Sequence, residues 1–187
     1  MIDDALDLRT YVFDMLGNAS MADKWPRIVT MTERRLNQVL RTTDQVTDAN
    51  VVMANGQGTL PTDYLEMIRV GTAYRPYREV HSQDYDSAYD HYDYSIEGST
   101  LSAIVDDGNL PIKYYASLPT LANDLTATNW LLTTAPDVYL FGTLAVATIG
   151  KPESVGYFEN LRGSLAGLKT ISNRKRFGNS NVRIEAV

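Results

Sequence analysis

The spacing of apolar residues changes twice along the chain, and this constrains the fold more than any other sequence feature. Over residues 25–40, apolar side chains recur every three or four positions, as on a helix with one buried face. Residues 46–115 instead contain short runs rich in β-branched and aromatic residues, separated by glycine turns, which are typical of strands. Helical spacing returns over residues 138–170. The sequence therefore predicts an α+β fold, a small helical bundle with an inserted antiparallel β-rich lobe.

The two N-terminal helices have recognisable ends. Asp3 or Asp4 can cap a first helix running to Leu16, and Gly17 follows where a left-handed C-terminal cap is expected. A second helix should begin at Ser20 or Asp23. Its apolar face comprises Trp25, Ile28, Val29, Thr32, Leu36, Val39 and Leu40. Its opposite, polar face comprises Glu33, Arg34, Arg35 and Arg41.

The β-rich segment contains several short strands. Residues 46–53 and 64–70 are predicted strands joined through a turn at residues 55–58, and residues 74–80 are a further candidate that Pro76 would confine to an edge. Residues 82–92 are polar and could form a short helix. Residues 94–97, 101–105 and 110–115 complete a predicted antiparallel set, with Gly98 and residues 107–109 as turns.

Helices resume after Pro119. Asn129 or Thr134 can cap a helix covering residues 130–132 and 138–149, with Pro136 near its start, and Gly150 begins a tight break. Ser154 should start a last helix ending near Thr170. Its apolar positions are Val155, Phe158, Leu161, Leu165 and Leu168. The predicted organisation is one domain made of N-terminal helices (1–44), a β-rich insertion (45–120), C-terminal helices (121–170) and an extended basic arm (171–187).

The composition excludes several classes of protein. The chain of 187 residues has no cysteine, which rules out disulfides, thiolate zinc sites and cysteine nucleophiles. No apolar run approaches the roughly 20 residues that span a bilayer, and the acidic N-terminus is unlike that of a secretory signal. The sequence therefore predicts a soluble protein made in the cytoplasm, without a membrane partner.

Charge is unevenly distributed. The net charge of −6 argues against a duplex-DNA binder that gains affinity by neutralising phosphates. From position 161 onward, six basic residues stand against one acidic residue, a net charge of +5, so the first 160 residues carry −11. An acidic body with a basic tail is an asymmetry that points to an interaction partner.

No constellation of catalytic or metal-binding residues is convincing. His81 and His91 lie in a polar, tyrosine-rich stretch without a serine nucleophile motif. The acidic cluster Asp84, Asp86, Asp90 and Asp93 fails the calcium-loop pattern because Tyr89 occupies the position of its glycine. Gly56 and Gly58 lack the following helix and lysine of a phosphate loop. We therefore predict no catalytic, cofactor-binding or metal-binding residues.

Tyrosines and basic residues indicate a different kind of site. Nine of the twelve tyrosines fall between positions 64 and 115, and tyrosine is enriched both in strands and at protein interfaces. The basic cluster beginning at Arg174 could contact nucleic acid or an acidic neighbouring protein. The candidate interface residues for contacts with a neighbouring subunit or another protein are Arg174, Lys175, Arg176, Phe177, Val182, Arg183, Ile184, Tyr74 and Tyr77.

Several segments, taken in order, resemble the head–tail adaptor (head-completion or connector) proteins of tailed bacteriophages. They are residues 60–66 (LPTDYLE), 94–98 (YSIEG), 112–115 (IKYY), 118–121 (LPTL), 129–132 (NWLL) and 136–144 (PDVYLFGTL). The resemblance implies a structural virion protein without enzymatic activity or cofactor. Such adaptors form a ring, usually of twelve copies, beneath the portal. The ring extends the DNA channel, lets double-stranded DNA pass without specific binding, and docks tail or stopper proteins.

The resemblance also implies a location in the virion neck, after assembly in the host cytoplasm. Three alternatives stay open from the residues themselves. The chain could be another neck or tail-completion protein, a divalent-metal-binding enzyme using residues 84–93, or a small nucleic-acid-binding regulator acting through its basic tail.

Overall fold

Helices and strands occupy separate stretches of the chain in the computed structural model, which describes residues 2–17, 19–81 and 92–177. The chain forms two compact units. A helical unit combines residues 1–44 with residues 118–187, and a β unit comprises Gln45–Ser117. The predicted α+β class is confirmed, since every strand among the described residues lies between Val46 and Ala116.

The first helix, α1 (Ala5–Leu16), has the predicted ends. The Asp4 side chain accepts a hydrogen bond from the Asp7 backbone N–H at 2.8 Å, and Gly17 closes the helix in the left-handed region at φ 60°. Helix α2 (Trp25–Val39) begins later than the predicted Ser20 or Asp23, because a 3₁₀ helix (Ala19–Lys24) precedes it. Pro26 lies in the first turn of α2, where its missing N–H costs no helical hydrogen bond.

The predicted helix over residues 130–149 is divided in two. Asn129 caps α3 (Trp130–Thr134) by accepting the Leu132 N–H at 3.0 Å, and α4 (Pro136–Ala147) follows after Ala135. The break falls at Ala135 because a following proline disfavours helical geometry in the residue before it. Gly150, at φ 86°, then forms the predicted turn before the last helix.

The last helix, α5 (Ser154–Phe177), is longer than predicted. Residues 171–177 were expected to start the extended arm, but they continue the helix; residues 178–187 lie outside the described part of the chain. Tertiary contacts explain the extension. The buried Ser172 hydroxyl accepts the Thr43 N–H at 2.9 Å, and the Lys175 ammonium pairs with the Asp44 carboxylate at 2.9 Å. Both contacts are polar and involve residues far away in the sequence, so the spacing of apolar residues did not predict that the helix continues here.

The helical unit has its own apolar core. The largest fully buried side chains come from α1 to α4 and from two residues outside the helices, Leu40 and Leu121, and α5 adds Leu168. They are Leu8, Trp25, Leu36, Leu40, Leu121, Leu131, Leu132, Tyr139 and Leu144. Among the described residues, no helix combines the length and apolarity needed to cross a membrane.

The described residues of the β unit form seven strands in two sheets. The first sheet has the order β1–β7–β3, formed by β1 (Val46–Met53), β7 (Gly108–Ala116) and β3 (Tyr64–Val70), all antiparallel. The second has the order β2–β6–β5–β4, formed by β2 (Gln57–Thr59), β6 (Thr100–Ala103), β5 (Asp93–Glu97) and β4 (Arg78–Glu79). Asn55 and Gly56, both at positive φ, make the tight turn between β1 and β2.

Three strand predictions need correction. The candidate strand over residues 74–80 shrinks to Arg78–Glu79, and it pairs with β5 in parallel, so the set is not wholly antiparallel. Pro76 cannot donate to a strand ladder, which limits pairing on its N-terminal side to a single bridge with Gly71. The strand predicted over residues 101–105 ends at Ala103, and Gly108 begins β7 instead of lying in a turn. The helix considered over residues 82–92 lies outside the described residues, apart from Tyr92.

Candidate functional site

The tyrosines of the β unit fall into two groups. Tyr94 and Tyr114 are buried, and their hydroxyls donate to the carboxylates of Glu79 at 3.3 Å and Asp63 at 2.9 Å. Burial, followed by the hydrogen bond and charge of Asp63, raises the pKa of Tyr114 to about 12. These rings therefore serve the core of the β unit, which accounts for part of the predicted tyrosine concentration. Tyr74, by contrast, is 97% exposed.

The second group surrounds a groove on the β unit. The aromatic groove, as we call it, has a volume of about 560 Å³ and is lined by Tyr77, Tyr92, Ile104, Val105 and Asp106. The rings of Tyr77 and Tyr92 meet edge to face, with centroids 5.6 Å apart. Burial, the neighbouring Tyr92 and the charge of Asp106, in that order, raise the pKa of Tyr77. Tyr77, one of the predicted interface residues, is therefore half-buried and lies in this groove.

The predicted basic interface residues lie at or beyond the end of α5. Arg174 is exposed, whereas Lys175 binds Asp44 of its own chain. The backbone of Arg176 and Phe177 is helical. Val182, Arg183 and Ile184 lie outside the described residues. The basic cluster is therefore partly engaged within the helical unit, in a contact that sequence reasoning did not find.

Glu33 was predicted on the polar face of α2, but its side chain is buried, with 6% of the residue exposed. One carboxylate oxygen accepts the Leu121 N–H at 2.7 Å, and the other accepts the Thr120 hydroxyl at 2.7 Å. The Tyr139 hydroxyl donates to Glu33 at 3.4 Å and accepts from the Asn129 amide at 2.8 Å. Burial raises the pKa of Glu33, and these hydrogen bonds oppose the rise.

This arrangement is structural. Both carboxylate oxygens are occupied by groups of the same chain, and the partners belong to the segment that leads from Thr120 to α4. A general base must reach the proton of a substrate, whereas the Glu33 carboxylate is buried against three donors of its own chain. Glu33 instead holds the segment that leads into the C-terminal helices. The sequence gives no signal for this role, because Glu33 stands beside charged residues of α2 that are exposed.

Only Asp93 of the acidic cluster lies among the described residues. Asp93 is buried, and Arg78 donates to both of its oxygens at 3.0 and 2.9 Å. Asp84, Asp86, Asp90 and His91 lie outside the described residues, while His81 is exposed. Within the described ranges, no group of three or more histidine or acidic side chains is arranged to hold a metal ion. Asp93 therefore has a structural partner of its own.

One face of α5 carries three glycines in place of larger side chains. Gly156, Gly163 and Gly167 are spaced by seven and four residues, which places them on the same side of the helix. Apart from the neighbouring backbone of the helix, no atom of the described residues lies within 4 Å of the position that a Cβ would take at any of the three. We call this surface the glycine face. The spacing was readable in the sequence, but its exposure was not.

Comparison with known families identifies the chain. The family model described as SU10 adaptor protein matches residues 3–183, nearly the whole sequence. The chain belongs to the SU10 adaptor protein family. This is a family of phage head–tail adaptors, which confirms the resemblance found in the short motifs. No curated protein shows significant similarity to the chain.

Membership in this family indicates a structural protein of the phage neck. The features described above agree with that role. The buried polar groups Glu33 and Asp93 are hydrogen-bonded within the fold, while the aromatic groove and the glycine face lie at the surface of their own units, as far as the described residues define it.

Proposed function

We propose that this SU10 adaptor forms a closed ring of twelve copies beneath the portal. In this proposal the ring extends the DNA channel on one side and docks tail or stopper proteins on the other. The observation that carries the proposal is the family match over residues 3–183. Three features of the molecule support it.

The distribution of charge suits a channel that DNA crosses without being held. The β unit contains eleven acidic and four basic residues, a net charge of −7, while the helical unit contains twelve acidic and thirteen basic residues, a net charge of +1. A negative surface repels phosphate at short range, and few cations are available to replace the counterions of duplex DNA. Of the four basic residues, Arg78 and Lys113 are already paired with Asp93 and Asp48.

The glycine face supports packing against another subunit. A glycine inside a helix costs roughly 0.5–1 kcal/mol relative to alanine, because its backbone loses more freedom on folding. Within the part of the chain that the structure describes, nothing packs over these three glycines that would require so small a residue. A neighbouring subunit whose backbone approaches α5 closely would account for them.

Exposed apolar side chains provide further contact area on the helical unit. Val155 at the start of α5 is 61% exposed, and Leu6, Tyr11 and Met15 are exposed along α1. A ring is closed by head-to-tail contacts in which one surface of each copy meets a different surface of the next. Two chemically different surfaces, one apolar with small residues and one acidic, fit that requirement.

A complementation experiment tests the proposed function. Cells infected with phage that lack this protein should accumulate heads that have packaged DNA but carry no tails. Adding the purified protein to these heads, sedimenting them away from free protein, and then adding tails should restore infectious particles. Heads that acquire tails without the protein would overturn the proposal.

The order of addition separates the neck adaptor from a tail-completion protein. An adaptor must bind the heads first, so pre-incubation of the protein with tails alone, followed by removal of free protein, should restore nothing. If pre-incubated tails become competent while pre-incubated heads do not, the chain acts at the tail and the ring beneath the portal is excluded.

A further inference from the structure

The aromatic groove on the β unit is an open, amphipathic recess with an acidic edge. Tyr77 and Tyr92 supply aromatic surface, Ile104 and Val105 supply aliphatic surface, and Asp106 is exposed at the side. Tyr92 and Ile104 are among the exposed large apolar residues of the chain. Interfaces are built from this combination, with an aromatic and aliphatic centre and a charged rim.

The chain itself contains a segment with matching chemistry. The last ten residues, 178–187, include Val182, Arg183 and Ile184, a cation flanked by two β-branched apolar side chains. An arginine can form a paired contact with a carboxylate such as Asp106, and its planar group also stacks on aromatic rings. The two apolar neighbours suit the aliphatic part of the groove.

Charge and length favour a second copy of the chain as the source of this segment. The segment follows the basic residues Arg174, Lys175 and Arg176 on α5, whereas the β unit carries a net charge of −7. Five residues lie between Phe177 and Arg183, so the six steps from one to the other span at most roughly 20 Å when extended. In the proposed ring, a segment of this reach can extend from α5 to a neighbouring copy.

We infer that residues 182–184 of one copy dock in the aromatic groove of the next copy, with Arg183 facing Asp106. This inference rests on the proposed ring and names a contact that would link neighbouring subunits. The contact is heterologous, since the C-terminal segment of one copy meets the β unit of the next, which is the relation that a closed ring needs.

The absence of native cysteines allows a direct test in the full-length chain. Two single variants, Ile104→Cys and Val182→Cys, are purified, mixed, and oxidised with copper phenanthroline. A disulfide forms only when the two Cα atoms come within about 4.4–6.8 Å. We expect a disulfide-linked heterodimer of the two variants. Val52→Cys is the matched control, because Val52 is an apolar residue of the same unit that is 69% exposed.

Charge reversal sharpens the test. Asp106→Lys in the Ile104→Cys chain should lower the yield of cross-linked dimer several-fold, and Arg183→Asp in the Val182→Cys partner should restore it. Glu97→Lys makes the same charge change at an exposed position outside the groove and should leave the yield unchanged.

Two outcomes would overturn the inference. Cross-linking of Val182→Cys to Val52→Cys as efficient as to Ile104→Cys would show that the contact is not selective. A disulfide within the Ile104→Cys/Val182→Cys double variant, with none between mixed single variants, would show that the segment binds its own groove. Either result contradicts the docking of residues 182–184 but not the proposed adaptor role, provided that the complementation of tailless heads succeeds. The two experiments therefore distinguish a failure of this inference from a failure of the proposed function.

Discussion

The helical unit and the β unit differ in net charge and in the partners of their buried polar groups. Among the described residues of the helical unit, the one buried carboxylate is that of Glu33, which is 6% exposed and accepts hydrogen bonds from donors of its own chain. In the β unit the hydroxyls of the core tyrosines Tyr94 and Tyr114 reach toward the carboxylates of Glu79 and Asp63, and the unit carries a net charge of −7. The two units thus differ in net charge, +1 against −7, although each buries a carboxylate. We expect partner contacts of the β unit to depend more on charge, and those of the helical unit to depend more on shape.

The largest effects should come from truncating the two cores. Leu36 in α2 and Leu101 in β6 are both buried, at 1% and 0% exposure. Replacing either with alanine should lower the free energy of unfolding by about 2–5 kcal/mol, since a cavity remains where the side chain was. Urea denaturation of each variant measures the loss.

The control for these variants is Arg34→Ala, at an exposed position of α2. Arg35 is less suitable, because its guanidinium lies 5.6 Å from the centre of the Phe158 ring. A loss of stability in Leu36→Ala no greater than in Arg34→Ala would refute the assignment of α2 to the core.

Removing the concealed carboxylate should have the next largest effect. Glu33→Ala leaves the buried Leu121 N–H and the exposed Thr120 hydroxyl without their partner, and a buried donor left unpaired costs about 1–3 kcal/mol. Glu33→Gln keeps an acceptor and removes the charge, so it should lose less. Denaturation midpoints of the two variants at one pH measure this difference.

The pH dependence of Glu33 has a definite sign. Burial raises its folded-state pKa above the ordinary value of 4.5, so the folded protein binds the proton more tightly than the unfolded chain does. Its contribution to stability is therefore fully present below pH 4.5 and is lost as the pH rises through the raised pKa. Wild-type stability should fall over this range relative to Glu33→Gln. A constant difference between the two proteins, with Glu97→Gln as the exposed control, would contradict this account.

Among the four residues of the acidic cluster in the β unit, we expect Asp93 to contribute to folding stability and the other three not to contribute. Asp93→Asn weakens a buried pair with Arg78 and should cost about 1–2 kcal/mol, a modest value because the Arg78 side chain is largely exposed. We expect the triple change of Asp84, Asp86 and Asp90 to asparagine to leave stability unchanged. Thermal melts compare the two variants, and calorimetric titration with calcium should give no saturable heat for either. Saturable binding that the triple variant abolishes would establish a metal site.

Alanine substitution on the glycine face tests shape recognition by the helical unit. Gly163→Ala should stabilise the isolated chain by about 0.5–1 kcal/mol, since its position is open and the helix gains a better former. The same change should weaken ring assembly, measured by sedimentation. Gly142→Ala in α4 is the contrasting control, because its Cβ would lie 2.9 Å from Thr32 Cγ2 and should destabilise the fold. If Gly163→Ala stabilises the chain and assembly is unaffected, α5 does not contact a neighbour through this face.

The smallest effect on the isolated chain should follow deletion of residues 178–187. Helix α5 ends at Phe177, and its contacts Ser172–Thr43 and Lys175–Asp44 are retained. We expect an unchanged unfolding midpoint but weaker assembly. Deletion from Arg174 onward should cost slightly more, since it also removes the Lys175–Asp44 pair, worth about 0–1 kcal/mol at the surface. Unfolding of the shorter deletion would show that these residues belong to the chain's own core.

The sequence predicts most of the secondary structure because local signals decide it. The Asp4 and Gly17 caps, the strands Val46–Met53 and Tyr64–Val70, and the Asn129 cap all follow from residue preferences over a few positions. The failures share a cause. The extension of α5 depends on Thr43 and Asp44, more than 100 residues away, and the short parallel strand β4 depends on pairing with β5.

The candidate site was harder to predict for the same reason. The sequence analysis singled out Tyr77 as an interface candidate, but its neighbours in the groove, Tyr92, Ile104 and Asp106, come from distant positions that only the fold brings together. Glu33 and Asp93 read as surface charges because nothing in their neighbours reveals burial. Burial of a polar side chain depends on its hydrogen-bonding partners, and those partners are not encoded by spacing along the chain.

The central claim is that this chain is the ring-forming subunit of the phage neck. A cryo-electron microscopy reconstruction of the head–tail junction of the virion, without imposed symmetry, tests it most directly. We expect twelve copies of the chain in one ring directly beneath the portal, with the glycine face of α5 at the boundary between subunits. Density for the chain elsewhere in the particle, or a junction in which portal and tail meet without it, would contradict the claim.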